Sequence, residues 1–358
     1  MNKKIRLGFV GSGFMGQLAH IANYATLPNC QLVALAEGRI ETGKAVARRY
    51  GIQQAYSTHQ EMLDQAELDA VVAIMSYHLY HAVVPDILDA GKPVMTEKPM
   101  CVGVDTAKKL VNLAAERGVI YQVGYMKRHD PASKLVKQTI QQWKESGECG
   151  NMTYIRITMP PGNWTYEIES PINLGDDVPQ YAGEAREPMP LWLTPSMRSV
   201  YNGFINFYIH QVNLLRYLID EDYEVTYVDP NQRIMVATSL SGVPCTLEMA
   251  PYGVQNRWDE FYRICFEGGK IDLSLPAPMA RQRAGDVTID RAAAAGGDPF
   301  PHTLTPSLPQ KWAFLEQARH FVECVGEGKP TLSPASEGVK DLEVSEQYVR
   351  CLMASREN

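Results

Sequence analysis

The chain has 358 residues, 45% of them hydrophobic and 21% charged, with a net charge of −7; this is an ordinary globular composition, and the length predicts two domains. So modest an acidic balance gives no electrostatic footprint for nucleic acid or an anionic membrane. The seven cysteines are scattered and contain no C-x-x-C pair, which argues against a disulfide framework or a metal site and predicts a reducing cytoplasm.

In the first third, short β-rich runs alternate with helical patterns. "IRLGFVG" reads as a strand and "MGQLAHIANYATL" as the helix after it, the glycines breaking the apolar run too early for a signal peptide. "CQLVALAE" precedes the helix "ETGKAVARRYG", and "LDAVVAIMS" precedes "YHAVVPDILDAG". "KPVMTEKP" precedes "VDTAKKLVNLAAERG", and the strand "IYQVGYM" ends the series. These strands do not alternate polar with apolar residues, as expected of strands buried on both faces. The α/β pattern therefore predicts a doubly wound parallel sheet over residues 1–124.

Past residue 124 the rhythm changes. The helix "PASKLVKQTIQQWKESG" and the half-exposed strand "NMTYIRITM" come first. A Pro/Gly/acid-rich stretch, 160–199, follows and carries Trp164, Arg186, Trp192 and Arg198; its aromatic content predicts an ordered, pocket-building loop. Next comes one apolar helix, "NGFINFYIHQVNLLRYLI" (202–219), then strand patterns from "YEVTYVDPN" to "KIDLSL" that predict an antiparallel sheet. Two helices close residues 125–358, the second predicted domain; nowhere is an apolar stretch long enough to span a bilayer.

Three features carry chemistry. The first is the glycine pattern Gly11-Ser12-Gly13-Phe14-Met15-Gly16, which follows a strand directly and opens a helix. Gly11 permits the tight turn, Gly13 lets backbone approach a pyrophosphate, and Gly16 allows close helix–strand packing. The helix N-terminus supplies N–H groups and positive dipole for phosphate. Glu37 ends the second strand, where an acid accepts hydrogen bonds from ribose hydroxyls and repels a 2′-phosphate, so NAD is favoured over NADP. Arg39 points the other way, as a partner for a 2′-phosphate.

The second feature is Glu97-Lys98-Pro99, placed after a strand of the same sheet, where ligands of parallel α/β sheets bind. A lysine there can hold a substrate hydroxyl and stabilise negative charge developing on oxygen. Taken alone, the same tripeptide reads as a surface turn with a charge pair. The third feature is a polar stripe on the apolar helix: Asn202, Asn206, His210 and Asn213, spaced four, four and three residues apart. Amides both donate and accept, which suits a wall facing a polyhydroxylated substrate; the alternative is a satisfied polar network between helix and core, or a helix face turned to water.

Taken together, "GFVGSGFMG", "MSYHLYHAVVPDILDAGKPVMTEKP", "QVGYMKRHDP" and "INFYIHQVNLLRYL", in that order, resemble the glucose–fructose oxidoreductase, inositol dehydrogenase and rhizopine-catabolism (Gfo/Idh/MocA) family. The resemblance implies a Rossmann domain binding NAD(P) and a C-terminal α+β domain whose large, mostly antiparallel open sheet joins a homodimer or homotetramer. It also implies hydride transfer between NAD(H) and a carbinol or ketone carbon of a sugar or cyclitol. By resemblance Lys98 matches the catalytic lysine and His210 the acid/base histidine. Asn206 stands where the family usually has an aspartate, so His210 lacks that carboxylate to orient it. Ser76, His78, His81 and Glu97 border the cofactor side of the crevice. Arg128 meets substrate or cofactor, or a structural salt bridge, while Trp164 and its loop meet substrate or only pack. Some relatives cleave glycosides by transient oxidation with bound NAD, and a silent nucleotide-binding sensor is a third reading.

Overall fold

Six strands form one fully parallel sheet in the order β3-β2-β1-β4-β5-β6. They are β1 (Ile5–Val10), β2 (Cys30–Ala36), β3 (Gln54–Tyr56), β4 (Ala70–Ala73), β5 (Val94–Thr96) and β6 (Tyr121–Val123). Every residue of β4, β5 and β6 is buried, which is why these runs lack alternation. The strand order reverses between β1 and β4, so the carboxyl ends of these two strands flank the ligand-binding crevice of a doubly wound sheet.

The intervening helices are a π-helical turn (Gly16–Ile21) running into α1 (Ala22–Tyr24), then α2 (Ile40–Tyr50), α3 (His59–Gln65), α4 (Tyr80–Asp89) and α5 (Val104–Arg117). The computed structural model describes residues 4–165, 168–177, 186–252, 258–293 and 300–357. These fall into two compact units that are discontinuous in sequence: Met1–Met126 with Glu169–Asn206 and Phe314–Leu342, and Lys127–Ile168 with Phe207–Ala313 and Glu343–Asn358.

Two later segments complete the first unit. Residues 331–334 run along β6: Val123 N donates to Ser333 O (2.9 Å), and Ser333 Oγ donates to Val123 O (2.8 Å). That seals the outer edge of the sheet. In α9 (Ala313–Glu327), Ala318, Phe321 and Val322 pack into the core with Leu7, Phe9 and Leu35. The other added segment, Glu169–Asn206, brings most of α7 (Pro195–Phe207) to the carboxyl ends of β4 and β5.

The second unit is built on eight strands ordered β14-β13-β12-β11-β7-β10-β9-β8. After α6 (Pro131–Ser146) come β7 (Met152–Thr158), α8 (Ile209–Ile219), β8 (Tyr223–Val228), β9 (Ile234–Ser239), β10 (Pro244–Glu248), β11 (Glu260–Phe266), β12 (Gly269–Leu275), β13 (Asp286–Arg291) and β14 (His302–Leu304). The chain ends in α10 (Ala335–Glu357). All neighbours are antiparallel except β10 and β7, which pair parallel with Cys245 opposite Ile155. No helix among the described residues is long and apolar enough to cross a membrane.

One expectation is corrected. The polar stripe does not lie on a single helix: α7 ends at Phe207, Tyr208 forms a turn, and α8 starts at Ile209. Asn202 and Asn206 therefore sit on α7 in the first unit, His210 and Asn213 on α8 in the second. α7 also begins seven residues earlier than the pattern placed it, at Pro195, a residue suited to a first helical turn.

The second unit hides a polar hub. Glu260, at the start of β11, is fully enclosed and accepts from Lys127 Nζ, from Gln211 Nε2 (2.8 Å), Tyr262 OH (2.8 Å) and Trp258 Nε1 (3.3 Å). The Lys127 ammonium also lies 5.6 Å from the Trp258 ring centre. A buried carboxylate is tolerated only when so satisfied. Lys127→Met leaves that charge without its cation and is expected to cost about 3–5 kcal/mol, read as a lower urea midpoint at unchanged fold by circular dichroism.

Candidate active site and dinucleotide cradle

The glycine turn has the geometry that phosphate binding requires. Gly11 sits at φ +86°, and a Cβ there would lie 2.3 Å from Ile74 O, so β1 passes too close to the end of β4 for any side chain. A Cβ on Gly16 would stand 3.0 Å from Gly11 O, which lets the helix pack against its strand. At Gly13 a Cβ would meet nothing within 4 Å, so that stretch of backbone faces open space, as a cradle for pyrophosphate must. Met15 precedes the helical turn without a side-chain cap, and the turn holds no acid. These residues fit a dinucleotide.

Glu37 is buried just past β2 and is fully engaged. Its Oε2 accepts from Ser12 N (2.8 Å), Ser12 Oγ (2.7 Å) and Arg39 Nη2 (2.9 Å). Its Oε1 accepts from Arg39 N (3.1 Å) and Arg39 Nε (3.0 Å). Burial alone would raise its pKa, but the hydrogen bonds from Arg39 and Ser12 outweigh it and hold Glu37 below the usual carboxylate range. Ribose hydroxyls can bond to Glu37 only by taking over one of these contacts.

At the neighbouring strand ends, Glu97 Oε1 pairs with the buried His20 Nε2 at 2.8 Å and Glu97 Oε2 accepts from Lys98 N at 3.1 Å. His20 stands edge-on to Phe314, their ring centres 5.6 Å apart. The Lys98–Pro99 bond is cis. Lys98 is half-buried, and its Nζ donates to Asn206 O at 2.6 Å, the last turn of α7. One turn earlier Asn202 Oδ1 accepts from Tyr77 OH at 2.7 Å. Burial raises the Tyr77 pKa, against the pull of Asn202 and of the nearby Arg186. Thus α7 meets the loop after β4 and the loop after β5. Ser76 is exposed beside Tyr77, His78 stacks on Tyr77 at 4.4 Å, and His81 lies half-buried in the first turn of α4.

The remaining candidates lie in the second unit. Asn213 is buried and its Oδ1 accepts from Arg128 Nε at 2.6 Å, while the Arg128 guanidinium lies 4.9 Å from the Tyr217 ring centre. These two candidates bind each other in an internal polar network. His210 is half-buried in the first turn of α8, and Trp164 is half-buried. Residues 178–185 of the predicted pocket loop lie outside the described residues.

Sequence reasoning missed Tyr77, His20 and Gln17. Gln17 Nε2 donates to Ser12 O (2.6 Å) and Ile172 O (2.9 Å), and its Oε1 accepts from Ile172 N (2.9 Å). For Tyr77 the signal was present, since it directly follows a strand that ends at the ligand edge. For Gln17 the partner is 155 residues away, beyond any local pattern.

Residues 5–125 match the oxidoreductase family with an NAD-binding Rossmann fold. Along its length the chain is 25% identical over 364 residues to the NAD⁺-dependent scyllo-inositol 2-dehydrogenase of Bacillus subtilis, covering 96% of this chain and 93% of that one. Its fold superposes on levoglucosan dehydrogenase, solved with NADH and levoglucosan, with a TM-score of 0.71 at 17% identity over 99% of this chain and 98% of that one. A 3-ketoreductase from Actinomadura kijaniata, solved with NADP, superposes with a TM-score of 0.68 at 16% identity over 96% of each chain.

Gly11→Ala is expected to unfold at a temperature several degrees lower, since it forces both a left-handed φ and a clash worth about 1–3 kcal/mol or more. Gly13→Ala is expected to keep its melting temperature and lose NAD⁺ affinity in calorimetric titration. For Glu37, the folded pKa lies below the unfolded value, so its stabilisation is complete above about pH 4.3 and lost as pH falls through the lowered value. The stability gap between the wild type and Glu37→Gln should therefore be constant from neutrality to about pH 5 and close only below it, as followed by urea titration at each pH.

The glycine cradle, the acid past β2 and the lysine past β5 all lie on one parallel sheet within residues 5–125, the segment that matches the NAD-binding Rossmann model of the Gfo/Idh/MocA oxidoreductases.

Proposed function

We propose that the protein oxidises or reduces a carbinol/ketone carbon of a cyclitol, sugar or sugar derivative with NAD⁺/NADH. The observation that carries this reading is Lys98: a half-buried ammonium at the carboxyl end of β5, on the parallel sheet that bears the glycine cradle, with Nζ donating to the Asn206 backbone carbonyl. An ammonium at that strand end can hold an incoming oxygen and stabilise charge that develops on it. The full-length relative acting on scyllo-inositol supports the same substrate class.

Bound NAD supplies the hydride acceptor or donor. Lys98 holds the substrate hydroxyl and stabilises the negative charge that grows on its oxygen as hydride leaves the carbon. By resemblance to the family's histidine the acid/base role falls to His210, with Asn206 in place of the family's acid four residues earlier. Glu97, fixed by His20, holds the backbone N–H of Lys98 and so orients its stem. The half-exposed face of the second unit's sheet, with Tyr154, Arg156, Phe261 and Arg263, is the proposed face for self-association. The seven free cysteines suit a reducing cytoplasm, with burial pushing Cys30 up to about 11.

The test is incubation with NAD⁺ and a panel of cyclitols, free sugars and glycosides, following NADH by absorbance and released sugar by chromatography. NADH formed in step with one cyclitol or sugar supports the reading. Sugar released from a glycoside with no net NADH overturns it in favour of redox-neutral cleavage. Lys98→Met is expected to lower kcat about 10²–10³-fold while the calorimetric Kd for NAD⁺ stays within about threefold, because the charge acts on the reacting oxygen.

A further inference from the structure

Residues 169–177, part of the first unit, form a strap laid on its dinucleotide half. Ile172 is clamped by both amide atoms of Gln17, and its side chain packs on the sheet's core. Leu174 N donates to Thr42 Oγ1 at 3.3 Å, and a turn closes from Asp177 N to Leu174 O at 2.9 Å. Asp177 Oδ2 then accepts from Thr42 N at 2.6 Å.

That last contact has a specific meaning. Arg39 is the N-cap of α2 and offers no side-chain cap, so the first N–H groups of the helix await an acceptor. Such an N-terminus is an anion site, and in Rossmann folds it adjoins the ribose 2′ position together with an arginine that takes a 2′-phosphate. Here the strap has filled the first place with its own carboxylate. It also helps fill the second: Arg39 Nη1 donates to Asn173 Oδ1 at 3.3 Å while Nε and Nη2 are held by Glu37. Glu37, and then the charge of Asp177, keep Arg39 the more firmly protonated.

We propose that Asp177, a residue outside the Rossmann core, determines cofactor choice: its carboxylate takes the anion position at the start of α2 and excludes the 2′-phosphate of NADP. The strap thus decides against NADP even though Arg39 stands beside the acid. This inference rests on the NAD-dependent reading above only in that the cradle binds a nicotinamide dinucleotide.

The experiment measures Kd for NAD⁺ and for NADP⁺ by titration calorimetry on the full-length protein, for the wild type, Asp177→Asn and Asp177→Ser. Asparagine still accepts from Thr42 N–H, so the first variant removes charge and keeps the tie. In both variants the ratio of the NADP⁺ Kd to the NAD⁺ Kd is expected to fall about tenfold, with the NAD⁺ Kd within about twofold of wild type. An unchanged ratio in a variant with a wild-type circular dichroism spectrum overturns the proposal, as does equal weakening of both dinucleotides, which would leave Asp177 a helix cap alone. A wild-type protein that binds neither dinucleotide overturns this proposal and the proposed function together. Binding of NAD⁺ with an unchanged ratio sinks the role of Asp177 and leaves the proposed function standing.

Discussion

A parallel βαβ sheet obliges every helix to start at the same edge. Each strand ends, the chain turns, and the next helix presents its unbonded N–H groups and positive dipole at the carboxyl edge of the sheet. The first unit answers this constraint in different ways: α4, like the turn after the glycines, has no side-chain cap, while others are capped. Thr58 caps α3 from its own turn, accepting from Glu61 N at 3.1 Å. Asp177 caps α2 from the strap, and Glu187 reaches the approach to α5, where its carboxylate accepts from Val102 N (2.7 Å) and Gly103 N (3.1 Å). The helix after the glycine turn has no side-chain cap. Positive potential is thus neutralised by the chain itself at α2 and α5 and kept for a ligand at the cradle.

The same economy governs the buried carboxylates. Glu37 gathers five donor contacts, Glu97 a histidine and a backbone N–H, and Glu260 four side-chain donors. Each of these anions is held by directed bonds, and so fixes what surrounds it. Lys98 Nζ, at the carboxyl end of β5, donates to a backbone carbonyl of α7.

What the sequence made legible was local. The glycine spacing, the acid at the end of β2 and the lysine past β5 are short-range patterns, and the lack of alternation in the strands announced a parallel sheet. The helix 202–219 misled because its polar residues keep helical spacing across a turn: Tyr208 leaves the register nearly intact while breaking the element, and α7 and α8 belong to different units. An amide such as Asn213 on an apolar helix shows no partner in the sequence. Its partner, Arg128, is 85 residues away. Asp177 and Glu187 were lost in an acid-rich loop, since nothing local marks an acid that caps a distant helix.

The edge of β6 has a consequence for how such chains can be recombined. The strand is sealed by Ser333, and the sheet's core is filled by Phe321 and Val322, residues about two hundred positions downstream of it. A hybrid enzyme made by joining one relative's first 124 residues to another's remainder would pair a strand edge with a foreign seal and a cavity with foreign plugs. Exchange of cofactor domains among such proteins is therefore a three-segment graft, in which the stretches near 169–206 and 314–342 must travel with the N-terminal portion.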